Sequence, residues 1–177
     1  MNKRTPVCLV LKSAVLLVTL LCVFPLFATN PQKKEMKELN VKKVSLANVA
    51  VENIPALLDK EKVAFQSINT VNWKTFPYQP EVQFRIAHTD DAILVHYKVK
   101  EASVRAVAAG DNGAVWEDAC VEFFSIPAGD GIYYNVECNC AGILLIGAGA
   151  GRENREHAPQ EVMDKVQRWS SLGRQSF

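Results

Sequence analysis

The sequence has no excess of charge of either sign. Lysine and arginine together number 20 and aspartate and glutamate 19, which leaves a net charge of +1 at pH 7. Proteins that bind nucleic acid through its phosphates carry a basic face or stripe, and a balanced composition does not supply one. We therefore expect no nucleic-acid partner and an ordinary solvated surface.

Cysteine is also scarce. Cys8 and Cys22 lie in the first 28 residues, so only Cys120, Cys138 and Cys140 remain for the rest of the chain. Three cysteines do not make a disulfide framework, and no Cys-x-x-Cys or nearby histidine spacing favours a metal bound by thiolates. Cysteines two apart on a strand share a face but cannot bridge without strain, so we expect free, buried thiols.

No uninterrupted apolar run reaches the roughly 20 residues of a membrane-spanning helix. The longest stretch, residues 14–27, carries Pro25 near its end and follows a short cationic start. This layout is typical of a secretory signal peptide. We expect residues 1–28 to be an export signal cleaved after Ala28, and the protein to be secreted, periplasmic or at the cell surface, without a transmembrane partner.

The rest of the chain suffices for one ordinary domain but not for two. Residues 29–40 are rich in lysine and glutamate and are interpreted as a leader, and residues 41–177 as the domain. An alternative to cleavage is lipidation of Cys22. Cleavage is favoured over it, because Leu21 precedes the cysteine where that modification requires a small residue.

Alternating apolar and polar residues predict two β-hairpins. Residues 82–89 and 92–99 alternate on either side of an Asp-Asp turn, and residues 118–126 and 132–141 alternate around a turn rich in glycine and proline. Two such hairpins predict an all-β fold, an antiparallel β-sandwich of the jelly-roll or immunoglobulin-like kind.

Other segments carry weaker patterns. Short helices are expected within residues 54–59 and 159–168, and a strand within residues 63–68. The glycine-rich residues 147–151 lack the Gly-Lys-Ser/Thr ending of a phosphate loop and any βαβ context, so we expect a mobile loop there.

The second hairpin separates an apolar face from a polar one. One face should hold Val121 and Phe123 together with alternate apolar residues of the next strand. The other face collects an indole, carboxylates, carboxamides and a phenol, at Trp116, Asp118, Cys120, Glu122, Phe124, Tyr133, Asn135, Glu137 and Asn139. Pyranose C–H faces stack on aromatic rings, and sugar hydroxyls need donors and acceptors, so this face suits a sugar.

Strand pairing can be predicted from the same two faces. Directly opposed residues share a face, so a register one residue away would mix the core and surface sets. We expect Ser125 opposite Ile132, which places Glu122 opposite Asn135.

In that register Cys120 would lie opposite Glu137. In an antiparallel pair, the numbers of directly opposed residues always add up to the same total, so this third pairing follows from the first two. It keeps both partners on the polar face.

Residues 115–124, VWEDACVEFF, and residues 133–139, YYNVECN, resemble the family 9 carbohydrate-binding modules, in which Trp-x-x-Asp-x-Val-Glu-x-Phe precedes a strand ending in Asn. Residues 71–74 and 84–88 look similar to the branch of that family found in exported bacterial proteins of glycan utilisation. The resemblance covers residues 41–177. It implies a β-sandwich, a mono-, di- or oligosaccharide ligand and structural calcium.

Matching position by position, Trp116 resembles the stacking tryptophan of the family, Glu122 its sugar-binding carboxylate and Asn139 its asparagine. Glu137 stands where better-known members carry an arginine. The family also continues for several strands with a second stacking aromatic, whereas this sequence ends at Phe177, so an incomplete sandwich with an unpaired edge is expected. The predicted ligand-binding residues are Trp116, Glu122, Tyr133, Asn135, Glu137 and Asn139.

The expected function is non-catalytic carbohydrate binding by an exported module of glycan catabolism, with a glycoside hydrolase as a further candidate partner. One alternative is hydrolysis of O-glycosyl bonds by Glu122 and Glu137. Another is an exported haem-binding sandwich, with axial ligands among His88, His96, Met36 and Met163. Calcium is the cofactor that the resemblance implies, with candidate sites at Asp90-Asp91, Asp111-Asn112 or Glu117-Asp118.

Overall fold

The computed structural model describes residues 3–12, 38–46 and 48–177, and in them the chain is mostly strand. The ten strands of these residues are β1 (Lys3–Lys12), β2 (Lys42–Lys43), β3 (Gln66–Ile68), β4 (Glu81–His88), β5 (Ala92–Glu101), β6 (Cys120–Ser125), β7 (Tyr133–Asn139), β8 (Leu144–Gly149), β9 (Glu156–His157) and β10 (Gln167–Ser170). The helices are α1 (Ile54–Lys60) and α2 (Gln160–Met163), and 3-10 turns span Val51–Asn53 and Val115–Glu117. Among these described residues, no helix has the length and apolar character that crossing a membrane requires.

The strands form two sheets. The first has the order β10-β1-β5-β4-β2, with β3 also paired to β4, and only the β2–β4 pair is parallel. The second is antiparallel throughout, in the order β6-β7-β8-β9. This arrangement confirms the predicted all-β sandwich, and both predicted hairpins are present as β4–β5 and β6–β7.

The main core lies between the sheets. It joins residues of the first sheet to residues of the second and to the segment around α2: Leu9, Val95, Tyr97, Val136, Cys138, Leu144, Ile146, Met163 and Val166. Strand alternation explains the set, because Val95 and Tyr97 are two residues apart on β5 and Val136 and Cys138 two apart on β7. The apolar face predicted for the second hairpin is therefore the core face.

Helix α1 covers the other face of the first sheet. Ile54 and Leu58, four residues apart on one side of the helix, are buried against Ala87 and Leu94. This confirms the helix expected within residues 54–59, with a proline in its first turn.

Both α2 and β8 differ from what the sequence predicts. The helix expected over residues 159–168 is only one turn, Gln160–Met163, because the chain enters β10 at Gln167. The expectation of a loop at residues 147–151 is wrong for Gly147–Gly149, which lie in β8 and pair with β7. Glycine weakened the strand pattern in the sequence, yet here it leaves room for another side chain above the sheet.

The three cysteines of the domain are free, as expected. Cys138 is part of the main core, and Cys140 is buried in a small cluster with Ala106 and Ala141. Burial raises the pKa of the Cys120 and Cys138 thiols to about 12 and that of Cys140 to about 11, so none carries a reactive thiolate at neutral pH.

Strand β1 lies inside the segment expected to be an export signal. Residues 3–12 run antiparallel between β5 and β10, so β5 is paired on both sides. The predicted cleavage position after Ala28, Cys22 and Met36 lie outside the described residues. The strand at an edge of the second sheet is β6, the first strand of the predicted site.

Candidate functional site

The β6–β7 hairpin keeps the predicted faces but not the predicted register. Ser125 lies opposite Tyr134 rather than Ile132, and Glu122 opposite Glu137 rather than Asn135. The shift is two residues, so each side chain stays on its face. Its cause is the turn.

In that turn, Gly129 and Gly131 adopt positive φ angles of 67° and 81°, which suit glycine. The Asp130 carboxylate accepts a hydrogen bond from the Ile132 amide at 3.0 Å. Ile132 is thereby held in the loop, and β7 begins only at Tyr133. The third expected pairing changes accordingly, since Cys120 lies opposite Asn139 and not Glu137.

Glu122 and Glu137 form the centre of the polar face. Glu122 is exposed, whereas Glu137 is only 4% exposed. Although Glu122 is exposed, partial desolvation of its carboxyl by the surrounding protein and the neighbouring charge of Glu137 raise its pKa, and Arg155 and Arg152 offset part of that rise. The phenol of Tyr97, from the first sheet, donates to the Glu122 carbonyl at 3.2 Å and fixes β6 above the core.

Asn135 lies beside Glu137 on the same face and is almost fully buried. Its amide nitrogen donates to Glu137 Oε1 at 2.7 Å. Within the described part of the chain, Glu137 Oε2 and Asn135 Oδ1 are buried without a hydrogen-bond partner. Two buried acceptors without donors are costly, so this pair is a polar site that hydrogen-bond donors would stabilise.

Asn139 and Asp118 belong to one hydrogen-bond network at the end of β7. Asn139 is fully buried, donates to Asp118 Oδ2 at 2.9 Å, and accepts the Ala141 and Ile143 amides at 3.1 and 2.8 Å. The structure therefore places this predicted ligand-binding residue in contact with protein groups. Its role here is to hold the end of β7.

Asp118 also holds the loop that carries Trp116. It accepts the Val107 and Ala108 amides at 2.9 Å each. Burial alone would raise the pKa of Asp118, but these hydrogen bonds and the one from Asn139 outweigh it and lower the pKa. The carboxylate is thus charged and fully engaged.

Trp116 lies in the 3-10 turn that precedes β6. Its neighbour Val115 is fully buried and anchors the turn, which contacts both β6 and β7. The indole itself is 57% exposed. A large ring held on an anchored turn and left open to solvent has the form of a stacking surface.

A second aromatic surface lies at the other end of the hairpin. Phe124 is 56% exposed and follows Glu122 by two residues, so both share a face. Its ring and that of Tyr133 lie 6.1 Å apart at 43°. The sequence pattern puts Phe124 on this face but does not single it out, because the residue also fits an edge of the core.

Arg155 contributes a cation that the sequence pattern does not reveal. Its side chain lies over β8, where added Cβ atoms on Gly147 and Gly149 would meet it at 3.5 and 3.2 Å. These glycines pair with Asn135 and Tyr133, and the guanidinium lies 5.9 Å from the Tyr133 ring centre.

The position of Arg155 supplies a donor that Glu137 lacks. Glu137, which accepts only, occupies the strand position where the resemblance implies an arginine. Arg155 reaches the same face from the β8–β9 loop, across the space above Gly147 and Gly149. The Gly-x-Gly spacing in a strand is a sequence signal for such a space, but it does not identify the side chain that fills it.

Three of the acidic residues named as candidate calcium ligands are paired with protein groups. Asp111 forms a bidentate pair with Arg168 at 2.9 and 2.5 Å, Asp118 is engaged as above, and Asp90 pairs with Lys43. In the parts of the chain that the structure describes, no group of three or more His, Cys, Asp or Glu residues is placed to hold a metal ion.

The three described residues among the candidate haem ligands contact protein groups. His96 Nδ1 accepts a hydrogen bond from Arg85, His88 Nδ1 contacts the Thr89 carbonyl, and Met163 is packed in the main core.

The chain is similar to known proteins. Residues 52–177 match the model of the family described as carbohydrate-binding family 9. The chain is also similar to the 2.70 Å crystal structure of a "putative carbohydrate-binding protein" from Bacteroides uniformis ATCC 8492, with 62% sequence identity and a TM-score of 0.75. That match covers 78% of this chain and 64% of the other, so it spans less than two thirds of the other protein's length. No curated protein matches the sequence.

Proposed function

The chain belongs to carbohydrate-binding family 9, and from this membership we propose that the β6–β7 face binds a mono-, di- or oligosaccharide without transforming it. The observation that carries the proposal is that exposed aromatic residues lie at both ends of β6, the first strand of the polar face. Trp116 lies before β6, and Phe124 lies near its end beside Tyr133.

The dimensions suit more than one sugar ring. Phe124 lies four positions after Cys120, where β6 begins, and a strand rises about 3.4 Å per residue, so the two are about 14 Å apart. Aromatic residues before β6 and near its end offer stacking for C–H faces. Glu122, on β6, is an acceptor, and Arg155 is a donor beside Tyr133.

The same geometry argues for binding rather than hydrolysis. Glycoside hydrolysis needs one carboxyl group protonated and a second ionised, on opposite sides of the scissile bond. Glu122 and Glu137 are neighbours across one ladder of a sheet, and Glu137 is buried and bonded to Asn135. Both carboxyl groups thus lie on one face of a sheet rather than on opposite sides of a cleft, so a catalytic role is not favoured.

We extend the proposal to an exported protein of glycan catabolism, acting beside a glycoside hydrolase. The cationic start and apolar run of the first 28 residues support export. Cleavage after Ala28 would also remove β1 from the first sheet. Export with cleavage therefore predicts a mature chain that begins at Thr29, whereas the described sheet includes residues 3–12. The mass of the protein recovered outside the cytoplasm would show whether residues 1–28 have been removed.

A glycan array tests the binding proposal directly. The native chain should bind neutral mono- to oligosaccharides, and Trp116→Ala should bind them clearly more weakly, with an unchanged circular dichroism spectrum. Val162→Ala removes an exposed apolar side chain from α2 and serves as the matched control. Full binding by the Trp116→Ala variant would leave the family membership as a statement about fold only.

A further inference from the structure

A second aromatic surface lies on the first sheet. The segment between β3 and β4 exposes three rings within six residues: Trp73 is 68%, Phe76 74% and Tyr78 60% exposed. With Ile68 and Val71 they line a groove of about 230 Å³. Contiguous exposed apolar surface of this kind marks a binding site more often than it marks a neutral surface.

The groove is built by specific contacts. The Phe76 amide donates to the Trp73 carbonyl at 2.9 Å, which makes a tight turn between two of the rings. Gln79 Nε2 donates to the Asn69 carbonyl at 2.8 Å and closes the segment on itself. The Tyr78 hydroxyl accepts the Ala102 amide at 3.0 Å, which ties the third ring to the residue after β5.

The lining is free of charge. Beside the apolar groups it contains only neutral polar side chains, Thr70, Asn72, Gln79 and the Tyr78 phenol, and no Asp, Glu, Lys or Arg. A nucleic acid, an acidic peptide or an anionic membrane would be recognised by cations, which the groove does not provide. Carboxamides and hydroxyls beside aromatic rings match an uncharged ligand that is rich in hydroxyl groups.

The groove is separate from the face described above. It is formed by residues at and after β3 and at β4, both in the first sheet, whereas Glu122 and Phe124 belong to the second. The two surfaces share no residue and differ in charge, since only the β6–β7 face carries carboxylates and arginine.

We propose that the Trp73–Phe76–Tyr78 groove is a second saccharide-binding site, which takes one or two uncharged pyranose rings. This site would bind the same class of ligand as the proposed function, but it is formed by different residues. Two sites on one domain give avidity for a polymeric glycan, because binding at the second becomes intramolecular once the first is occupied.

Titration calorimetry with a neutral oligosaccharide tests this in the full chain. We expect two sites in the native protein, and one in each of Trp73→Ala and Trp116→Ala. Retention on a gel that contains the polymer should fall about tenfold or more in either variant. Phe76→Ala repeats the test with a ring that makes no side-chain hydrogen bond, in case Trp73→Ala fails to fold, and Val162→Ala is again the control.

The outcomes separate the two sites. One site that is lost in Trp116→Ala and unchanged in both Trp73→Ala and Phe76→Ala would overturn the second site and keep the proposed function. One site that is lost in Trp73→Ala alone would keep the second site and overturn the first. A dimer that becomes a monomer in Trp73→Ala, without any change in sugar binding, would show that the groove is a contact between copies of this chain and overturn the proposal.

Discussion

Glu122 and Glu137 lie directly opposite each other across the β6–β7 ladder. Opposed like charges on neighbouring strands destabilise a sheet by up to about 1 kcal/mol, and Glu137 is moreover buried with one oxygen unpaired. A sequence that keeps such a pair breaks a local rule of sheet stability. Conflicts of this kind are expected at functional sites, where binding and stability make different demands.

Glu137→Gln should therefore stabilise the fold while it weakens the site. The neutral amide removes the repulsion and offers a donor next to Asn135 Oδ1, so we expect the free energy of unfolding to rise by about 1 kcal/mol. Sugar affinity should fall, because a buried acceptor is lost. Urea unfolding and calorimetry measure the two effects, with Glu161→Gln on α2 as the control. A less stable variant with native affinity would show that Glu137 serves the fold.

Sugar binding should depend on pH through Glu122. Partial desolvation, then the charge of Glu137, raises the pKa of this carboxyl above its ordinary value of 4.5, so the folded protein takes up the proton at a higher pH than the unfolded chain. The cost of its charge to stability is present at neutral pH and disappears as the pH falls. Affinity should decline at pH values still above 4.5.

The Glu122→Gln variant provides the control for that pH dependence. It should bind more weakly at neutral pH by about 1–3 kcal/mol, the range for a hydrogen bond to a charged group, and its affinity should not change with pH in the same range. A variant that retains the native pH profile would assign the titration to another group.

Phe124→Ala should discriminate between short and long ligands. Phe124 lies at the turn end of the hairpin, whereas Trp116 lies at its other end, so a single sugar ring stacked on Trp116 does not reach both. We expect the affinity for oligosaccharides to fall about tenfold, or about 1.4 kcal/mol, and that for monosaccharides to stay the same. Equal losses for both would place the bound ring on Phe124 itself.

The sequence predicts which residues of this site share a strand face, but it does not predict which residues are paired across the strands. Period-two alternation is a local property of the chain, so it separates Val121 and Phe123 from Glu122 and Glu137 without knowledge of the fold. The register depends on backbone angles at Gly129 and on one hydrogen bond in the turn. A shift of two leaves the pattern of faces unchanged, so the pattern cannot choose between the two registers.

Two roles within the site required the three-dimensional structure. Asn139 is polar and lies on the polar face, but its partners, Asp118 and two amides beyond β7, are brought to it only by folding. Arg155 reaches the face because Gly147 and Gly149 leave space above β8, and in the sequence these glycines resemble a loop.

The pair of His96 and Arg85 predicts an acid-sensitive fold. Both are buried between the first sheet and α1, and Arg85 Nε donates to His96 Nδ1 at 3.1 Å, which requires a neutral imidazole. Burial first, then the charges of Arg85 and Lys98, lower the pKa of His96 to about 4, with Asp59 acting in the opposite sense.

The sign of the effect follows from this lowered pKa. The unfolded chain binds the proton at the ordinary value of 6.5, so stability is complete above pH 6.5 and decreases as the pH falls toward 4. The loss should be at most about 3 kcal/mol. Thermal unfolding between pH 7.5 and 4.5 measures it, and His96→Gln, which does not titrate, should lose less over this range. Parallel pH profiles for the two proteins would exclude His96 as the cause.

Strand β1 predicts that the first residues of the chain contribute to stability as long as they are retained. Residues 3–12 pair with ten residues of β5 and four of β10, and Leu9 is 2% exposed in the core between the sheets. In the full chain, Leu9→Ala should cost about 2–5 kcal/mol, the range for truncating a buried leucine. Leu39→Ala, at an exposed leucine, is the matched control and should change stability little.

The processed form gives the complementary experiment. A chain that begins at Thr29 lacks β1, which exposes the edge of β5 and leaves β10 without its strand partner, so it should unfold at a lower urea concentration than the full chain. A synthetic peptide of residues 3–12 should restore part of the difference in a concentration-dependent way, since a ligand that binds only the folded state stabilises it. Equal stability of the two chains, with no response to the peptide, would contradict a structural role for β1 and would fit removal of the segment during export.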